Sequence, residues 1–244
     1  SFKGLAGITT DGTNLYVGDD RNHLIRQIVI STGLVTTLAG TASSTGSTNG
    51  TGTAASFNNP KGITTDGTNL FVADYGSHLI RQIVISTGVV TTLAGSSGSS
   101  GSTNGTGTAA SFNNPVGVTT DGTDVYVTDC AGNLIRKIVI STGVVTTLAG
   151  TGSSGSANGT GTAASFNCPG GVLSDGKNLF ITDYSNHLIR KIVISTGVVT
   201  TIAGSGSSGS TNGTGTAASF NNPVGVTTDG INLFVTDSDN HLIR

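Results

Sequence analysis

The sequence predicts an all-β fold of five repeated, four-stranded antiparallel units, and two observations carry that prediction. A phenylalanine landmark recurs at steps of 55, 55, 54 and 54 residues, at Phe2, Phe57, Phe112, Phe166 and Phe220. Each copy also contains four short β-type runs separated by turn sequences. A long fixed period indicates a repeat architecture. Four antiparallel strands per repeat form one blade of a β-propeller.

The second copy illustrates the elements of one repeat. Its pattern predicts strands at 62–65, 70–73, 78–85 and 89–94. The Asp-Gly dipeptide at 66–67 predicts a tight hairpin between the first two strands, because both residues tolerate positive φ.

The third strand favours stacked blades over an open sheet. Leu79 and Ile83 fall on one face of this strand, and Ile80 and Val84 fall on the other. An open antiparallel sheet with one wet face would alternate polar and apolar residues more cleanly. The two apolar faces therefore predict a blade that is covered on both sides.

The repeat predicts a single propeller over residues 1–244. We expect blades at about 1–40, 56–95, 111–150, 165–204 and 219–244, joined by Gly/Ser/Thr-rich interblade loops at 41–55, 96–110, 151–164 and 205–218. This composition is typical of flexible segments, although each loop ends in Thr-Ala-Ala-Ser-Phe, where a short helical turn would place the phenylalanine between blades. The loops are expected on one face, as functional segments or as solvated padding.

The fifth copy stops at Arg244, inside its third strand, so the last blade is expected to be incomplete. The chain contains no Met, which indicates a processed form or a fragment. We expect the exposed strand edge to be covered either by further chain or by a neighbouring subunit.

Composition argues against several functions. A net charge of -2 with 10% charged residues gives no electrostatic footprint for nucleic acid. No apolar run is long enough for a membrane-spanning helix. Most of the acids recur in every repeat, where Asp is favoured for turn and backbone hydrogen bonding. Five equivalent copies are more typical of structure than of a catalytic acid. No GxSxG, P-loop or HExxH motif is present, and we expect no cofactor.

The tripeptide at the start of the third strand carries a resemblance. Asn-His-Leu stands at 22–24, 186–188 and 240–242, and the other two copies have Ser-His-Leu at 77–79 and Gly-Asn-Leu at 132–134. With the preceding Asn-Pro, Asp-Gly and Leu-Phe-Val-Ala-Asp elements, the chain resembles the NHL-repeat family of β-propellers. The resemblance covers all five repeats and implies the propeller fold. It says little about function, since the family includes sensor, scaffold, nucleic-acid-binding and lyase members.

Each repeat is expected to contain an ion pair between the Asp that closes the second strand and an Arg in the third. The predicted pairs are Asp19 with Arg26, Asp74 with Arg81, Asp129 with Arg136, Asp183 with Arg190, and Asp237 with Arg244. The histidines at 23, 78, 187 and 241 could form a metal-binding ring, as in lyases of the family. We expect a structural hydrogen-bonding role instead, because they open a strand that lies away from the axis. No metal site is predicted.

Two further sets of residues bear on the compartment: a disulfide would imply an oxidising, extracellular one, and glycosylation would require secretion. Cys130 and Cys168 depart from the repeat in loops of adjacent blades on one face, which predicts a disulfide, against the alternative of two unrelated thiols. Each loop also carries an Asn-x-Thr acceptor pattern for glycosylation, which is equally a turn sequence, at Asn49, Asn104, Asn158 and Asn212.

These features predict a secreted, non-enzymatic propeller that serves as a structural, self-assembling or protein-interaction module, such as a subunit of an extracellular coat, tube or filament. The resemblance implies closure at six blades, so the expected partners include further copies that cover the incomplete blade, and a protein or glycan on the loop face. A carbohydrate-binding or small-ligand sensor domain is the alternative, and a metal-dependent lyase is a third reading.

Overall fold

The computed structural model describes all 244 residues and contains β-strands and short 3-10 turns. Blade 1 comprises β1 (Leu5–Thr10), β2 (Asn14–Asp19), β3 (Leu24–Val29) and β4 (Val35–Ala39). Blade 2 comprises β5 (Gly50–Thr51), β6 (Pro60–Thr65), β7 (Asn69–Asp74), β8 (Leu79–Val84) and β9 (Val89–Ala94). Blade 3 comprises β10 (Gly105–Thr106), β11 (Pro115–Thr120), β12 (Asp124–Asp129), β13 (Leu134–Val139) and β14 (Val144–Ala149).

Blade 4 comprises β15 (Gly159–Thr160), β16 (Pro169–Ser174), β17 (Asn178–Asp183), β18 (Leu188–Val193) and β19 (Val198–Ala203). Blade 5 has three strands, β20 (Pro223–Thr228), β21 (Leu233–Asp237) and β22 (Leu242–Ile243). Within each sheet the main strands follow chain order, from the first strand outwards. The predicted all-β, five-blade propeller with an incomplete last blade is therefore confirmed.

The hairpin between the first two strands is stabilised by its aspartate. In blade 2, Asp66 Oδ1 accepts hydrogen bonds from the backbone N–H groups of Thr68 and Asn69 at 2.8 and 2.6 Å, and Gly67 adopts φ 89°. In blade 1, the bond from the Asn14 backbone is the main cause that lowers the pKa of Asp11 to about 2. These recurrent aspartates form turns, which accounts for their presence in every copy.

The chain divides into two compact units, Ser1–Val125 with Ile138–Val145, and Tyr126–Lys137 with Thr146–Arg244. The core of the first unit lies between blades 1 and 2, where Tyr16 and Ile25 pack with Phe57, Ile63 and Val72. The second unit has one cluster around Tyr126, Phe166 and Ile181, and another around Phe220. Apolar side chains on both faces of a blade thus form its core contacts, as the third-strand pattern predicts.

The Gly/Ser/Thr-rich segments are more ordered than their composition suggests. Residues 50–51 pair with the outer strand β9 in antiparallel register, Gly50 opposite Val90, and Gly46 donates its backbone N–H to Phe57 O at 3.1 Å. The 3-10 turn Gly52–Ala54 then leads to Phe57, which is fully buried. Equivalent two-residue strands cover the outer strands of blades 3 and 4. The segment is held because it covers an edge that would otherwise have unpaired backbone groups.

Candidate functional site

Each blade is fastened to the next by a contact that we call the interblade joint. One side is the last residue of the short turn that follows the second strand, and the other is the residue before the first strand of the next blade. The pairs are His23 with Asn59, His78 with Asn114, Asn133 with Cys168, and His187 with Asn222. Both sides are in the left-handed region, with φ 60° at His23 and 56° at Asn59, so the backbone presents the two residues to each other.

Three of the four joints use an imidazole as hydrogen-bond acceptor. The backbone N–H groups of Asn59, Asn114 and Asn222 each donate to the Nδ1 atom of the histidine in the preceding blade at 3.1 Å. The histidines of the repeat therefore contact the backbone of the next blade, and this explains their recurrence. No three His, Cys or Asp side chains converge in an arrangement that could hold a metal ion.

The joint between blades 3 and 4 keeps the same geometry with other side chains. Asn133 replaces the histidine, and its Oδ1 atom accepts the backbone N–H of Cys168 at 2.9 Å. Cys168 adopts φ 48° and forms a disulfide with Cys130, with 4.0 Å between the Cα atoms. A cysteine is uncommon at positive φ. The cross-link explains why cysteine stands here, at a position where the equivalent residues with positive φ are asparagines.

The disulfide has a non-covalent counterpart at the joint between blades 1 and 2. Asp20 and Asn59 occupy the repeat positions of Cys130 and Cys168, and Asn59 Nδ2 donates to Asp20 Oδ1 at 2.7 Å. The same two positions are therefore joined by a hydrogen bond in one case and by a covalent bond in the other.

The inner strands of neighbouring blades approach through glycine and threonine. A Cβ atom at Gly7 would lie 2.7 Å from Lys61 O, so this position in blade 1 accepts no side chain against blade 2. In the second unit, Thr128 Oγ1 donates to Gly170 O at 2.5 Å and Thr182 Oγ1 donates to Val224 O at 2.8 Å. The first strands thus contact the preceding blade through backbone groups.

Every blade contains an Asp–Arg contact at the expected positions, with N–O distances between 2.8 and 3.5 Å: Arg26–Asp19, Arg81–Asp74, Arg136–Asp129, Arg190–Asp183 and Arg244–Asp237. The arginine also binds the preceding interblade segment. Arg81 donates to Ser56 O at 2.9 Å, to Thr48 O at 3.1 Å and to Asn49 Oδ1 at 2.9 Å. Arg190 makes the same contacts with Ser165, Ala157 and Asn158 in blade 4. The arginine thus binds the loop to its blade.

Burial opposes both charges of this pair. Desolvation raises the pKa of Asp74 to about 6, against the hydrogen bond from the Asn58 backbone and the charge of Arg81, and it lowers the pKa of Arg81. The carboxyl group is still ionised at neutral pH. Because its folded-state pKa lies above the unfolded value, this group contributes stability at low pH that is lost as the pH rises to about 6.

The arginine contacts involve predicted glycosylation sites, as Asn49 and Asn158 show. Asn49 and Asn158 are exposed, and their Oδ1 atoms accept from Arg81 and Arg190 and from the hydroxyls of Thr92 and Thr201. Asn104 and Asn212 are likewise exposed. A glycan is joined to the amide nitrogen, whereas these contacts of Asn49 and Asn158 occupy the oxygen.

Two half-buried tyrosines stand at equivalent positions, each at the start of the turn after a second strand: Tyr75 and Tyr184. In the first unit the Lys61 ammonium lies 4.1 Å from the centroid of the Tyr75 ring. In the second unit Gly170 stands at the position of Lys61, in the strand next to the turn that begins with Tyr184.

The structure contains no helix with the length and apolar character that crossing a membrane requires.

Two roles could not be assigned from the sequence alone. The histidine side chain accepts a hydrogen bond from a backbone N–H 36 positions later. The asparagine of the Asn-Gly-Thr sequence accepts one from an arginine 32 positions later. The signal for the first role is the exchange of His for Asn at 133, since both side chains carry a hydrogen-bond acceptor and both residues tolerate positive φ.

Comparison with curated proteins finds two informative relatives. The chain is 31% identical over 247 residues to the protein SUPPRESSOR OF QUENCHING 1, chloroplastic, of Arabidopsis thaliana, matching 94% of this chain and 23% of the relative. It is 27% identical over 283 residues to human NHL repeat-containing protein 2, matching 100% of this chain and 39% of the relative. The chain thus spans less than half the length of these relatives. No protein-family model matches the chain.

Solved structures with the same fold include proteins of different function. An auxiliary nutrient-binding protein of Bacteroides thetaiotaomicron superposes with a TM-score of 0.67 at 17% identity, over 99% of this chain and 68% of that one. A chain of the nidogen/laminin complex gives 0.69 at 18% identity, over 99% and 74%. Streptogramin B lyase gives 0.62 at 13% identity, over 100% and 68%. At these identities the likeness concerns the fold, and proteins as different as a nutrient-binding protein and a lyase share it.

Proposed function

Because the chain belongs to the NHL-repeat family of β-propellers, we propose that it is a secreted, non-enzymatic interaction module that assembles with further copies of itself. The fold and its NHL-repeat and nutrient-binding neighbours support a binding or interaction module. Secretion and self-assembly are the finer parts of the proposal, and each rests on its own residues.

Self-assembly rests on the apolar faces of blades 1 and 5. Ile8 in β1 is 61% exposed, whereas its equivalent Ile63, between blades 1 and 2, is 5% exposed. In blade 5, Phe234 is 41% exposed, whereas its equivalent Phe71 is fully buried. The surfaces that elsewhere form interblade contacts are therefore accessible at these two blades, and apolar surface of this kind marks interaction sites.

The proposed occupant of each face is the opposite face of a second copy. Interior blades pair by the same repeat positions, so blade 5 of one copy carries the groups that blade 1 of the next would bind. His241 is exposed and would offer Nδ1 to the backbone N–H of Gly4, the equivalent of Asn59. Contacts of this head-to-tail type give rings when they close and filaments when they do not.

Light scattering with negative-stain imaging tests this proposal. We expect the protein to form rings, tubes or filaments whose mass rises with concentration, and Ile8→Lys to abolish them by placing a charge in the contact. The control is Ile231→Thr, which removes an apolar side chain that is 91% exposed in a hairpin and restores the residue found at 68 and 123. A monomer at high concentration, or assembly by Ile8→Lys, would contradict self-assembly.

Secretion is supported by the disulfide, since such bonds persist in oxidising compartments. We expect protein from a eukaryotic secretory host to carry N-linked glycans at some of the four Asn-Gly-Thr sites, seen as mass that enzymatic deglycosylation removes. Thr51→Ala should delete the glycan at Asn49 while it leaves the bond from Arg81 intact. Unmodified asparagines together with free thiols in the secreted material would contradict this part of the proposal.

Binding of a carbohydrate or small ligand on the loop face is the alternative. The observation in its favour is Tyr184, a half-buried aromatic ring in a turn whose neighbouring strand has glycine at the position of Lys61. Stoichiometric metal retained by the purified protein would instead favour the lyase reading.

A further inference from the structure

The interblade joints differ in whether their acceptor can take up a proton. At three joints the acceptor is imidazole Nδ1, in His23, His78 and His187. A neutral imidazole accepts at one nitrogen, whereas an imidazolium donates from both. Uptake of a proton at Nδ1 would therefore place a donor opposite the backbone N–H of the next blade.

The fourth joint lacks this property. The Oδ1 atom of Asn133 accepts the Cys168 N–H at 2.9 Å, and an amide oxygen remains an acceptor at acidic pH. The disulfide to Cys130 also holds Cys168 in place. The chain thus contains three joints that can respond to acid and one that cannot, in the same backbone geometry.

The groups around each histidine differ in charge. At the first joint, Asp20 accepts a bond from the Asn59 side chain. At the second, Tyr75 in the adjacent turn lies beneath Lys61. At the last, Tyr184 is in the adjacent turn and Asp239 accepts a bond from the Asn222 side chain. The joints therefore share their hydrogen bond and differ in their neighbours.

We propose that the three histidine joints are a proton-sensitive device, in which the bonds between blades 1 and 2, 2 and 3, and 4 and 5 open locally at mildly acidic pH while the joint between blades 3 and 4 stays closed. Histidine is the side chain whose charge ordinarily changes in this pH range. The inference is independent of self-assembly, because it concerns contacts within one chain. Its consequence is that the turn carrying each histidine loosens from the next blade on acidification.

Hydrogen exchange resolved by NMR tests each joint separately. We expect the protection of the Asn59, Asn114 and Asn222 amides, corrected for intrinsic exchange, to fall about tenfold or more between pH 7.5 and 5.0, because local opening would no longer be opposed by the bond. The Cys168 amide should keep its protection. Equal behaviour of all four amides would overturn the proposal.

Exchanging the two acceptors provides the matched controls. His78→Asn should make the protection of Asn114 independent of pH, with the other two joints unchanged. Asn133→His should transfer acid sensitivity to the Cys168 amide when the disulfide is removed in the same protein by Cys130→Ser. Should His78→Asn fail to fold, His187→Asn with the Asn222 amide is the equivalent measurement. Persistent acid sensitivity at a joint whose histidine is replaced would also overturn the proposal.

Discussion

The joint between blades 1 and 2 and the joint between blades 3 and 4 are built at the same repeat positions with different chemistry. The first has Asp20 bonded to the Asn59 side chain and His23 bonded to the Asn59 backbone. The second has the Cys130–Cys168 disulfide and Asn133 bonded to the Cys168 backbone. Both place the next blade's residue in the left-handed region, at φ 56° and 48°.

The comparison indicates that the backbone defines the joint and the side chains set its strength. Residues in the left-handed region face each other in both cases, and any side chains that bond across that gap hold the blades together. A hydrogen bond contributes about 1 kcal/mol to stability, whereas a cross-link that closes a loop of 38 residues contributes about 4 kcal/mol in the chain-entropy model. The joint between blades 3 and 4 is therefore expected to be the most stable.

Removing the disulfide should have the largest effect on this difference. We expect Cys130→Ser with Cys168→Ser to lower the free energy of unfolding by about 4 kcal/mol, since the unfolded chain regains the entropy of a 38-residue loop. For a chain of this length that corresponds to a fall in Tm of roughly 8–15 °C. Calorimetry of the oxidised protein and the double variant would measure it.

A second double variant separates the cross-link from the residues that carry it. Cys130→Asp with Cys168→Asn gives this joint the side chains of Asp20 and Asn59. It should be more stable than the serine pair by about 1 kcal/mol, because a hydrogen bond is restored and asparagine tolerates positive φ. Equal stability of the two variants would mean that the side-chain bond contributes nothing here.

The fold could be predicted from the sequence to the level of blades and strands. One repeat explains the regular spacing of the phenylalanines, the Asp-Gly hairpins and the third strands with two apolar faces. Each copy therefore supports the strands predicted in the others. The two-residue strands such as Gly50–Thr51 could not be predicted. Their pairing depends on an edge strand about 40 residues later, and Gly and Thr have no periodic pattern over two residues.

The candidate site could be predicted from the sequence only in part. Cys130 and Cys168 stand out because each departs from the repeat on the same face, and the structure joins them. The aspartate and arginine of each repeat are visible in the sequence, but their contacts with Thr48 and Asn49 are not, since a polar loop of low complexity gives no indication of which oxygen faces inwards. The histidine contact was hidden for the same reason, because its partner is a backbone N–H, which every residue but proline has.

Installing the cross-link at the other joint should have a smaller effect of opposite sign. We expect Asp20→Cys with Asn59→Cys to form a disulfide on oxidation, because Asp20 Oδ1 and Asn59 Nδ2 are already 2.7 Å apart and Asn59 has nearly the φ of Cys168. The new loop is one residue longer than the natural one, but the variant loses a hydrogen bond and places cysteine at positive φ. The gain in the free energy of unfolding should therefore be about 2–3 kcal/mol. Denaturation of the oxidised and reduced forms measures it, and the reduced form should be less stable than the parent. Failure of the thiols to pair would show that the two joints differ in backbone geometry and not only in side chains.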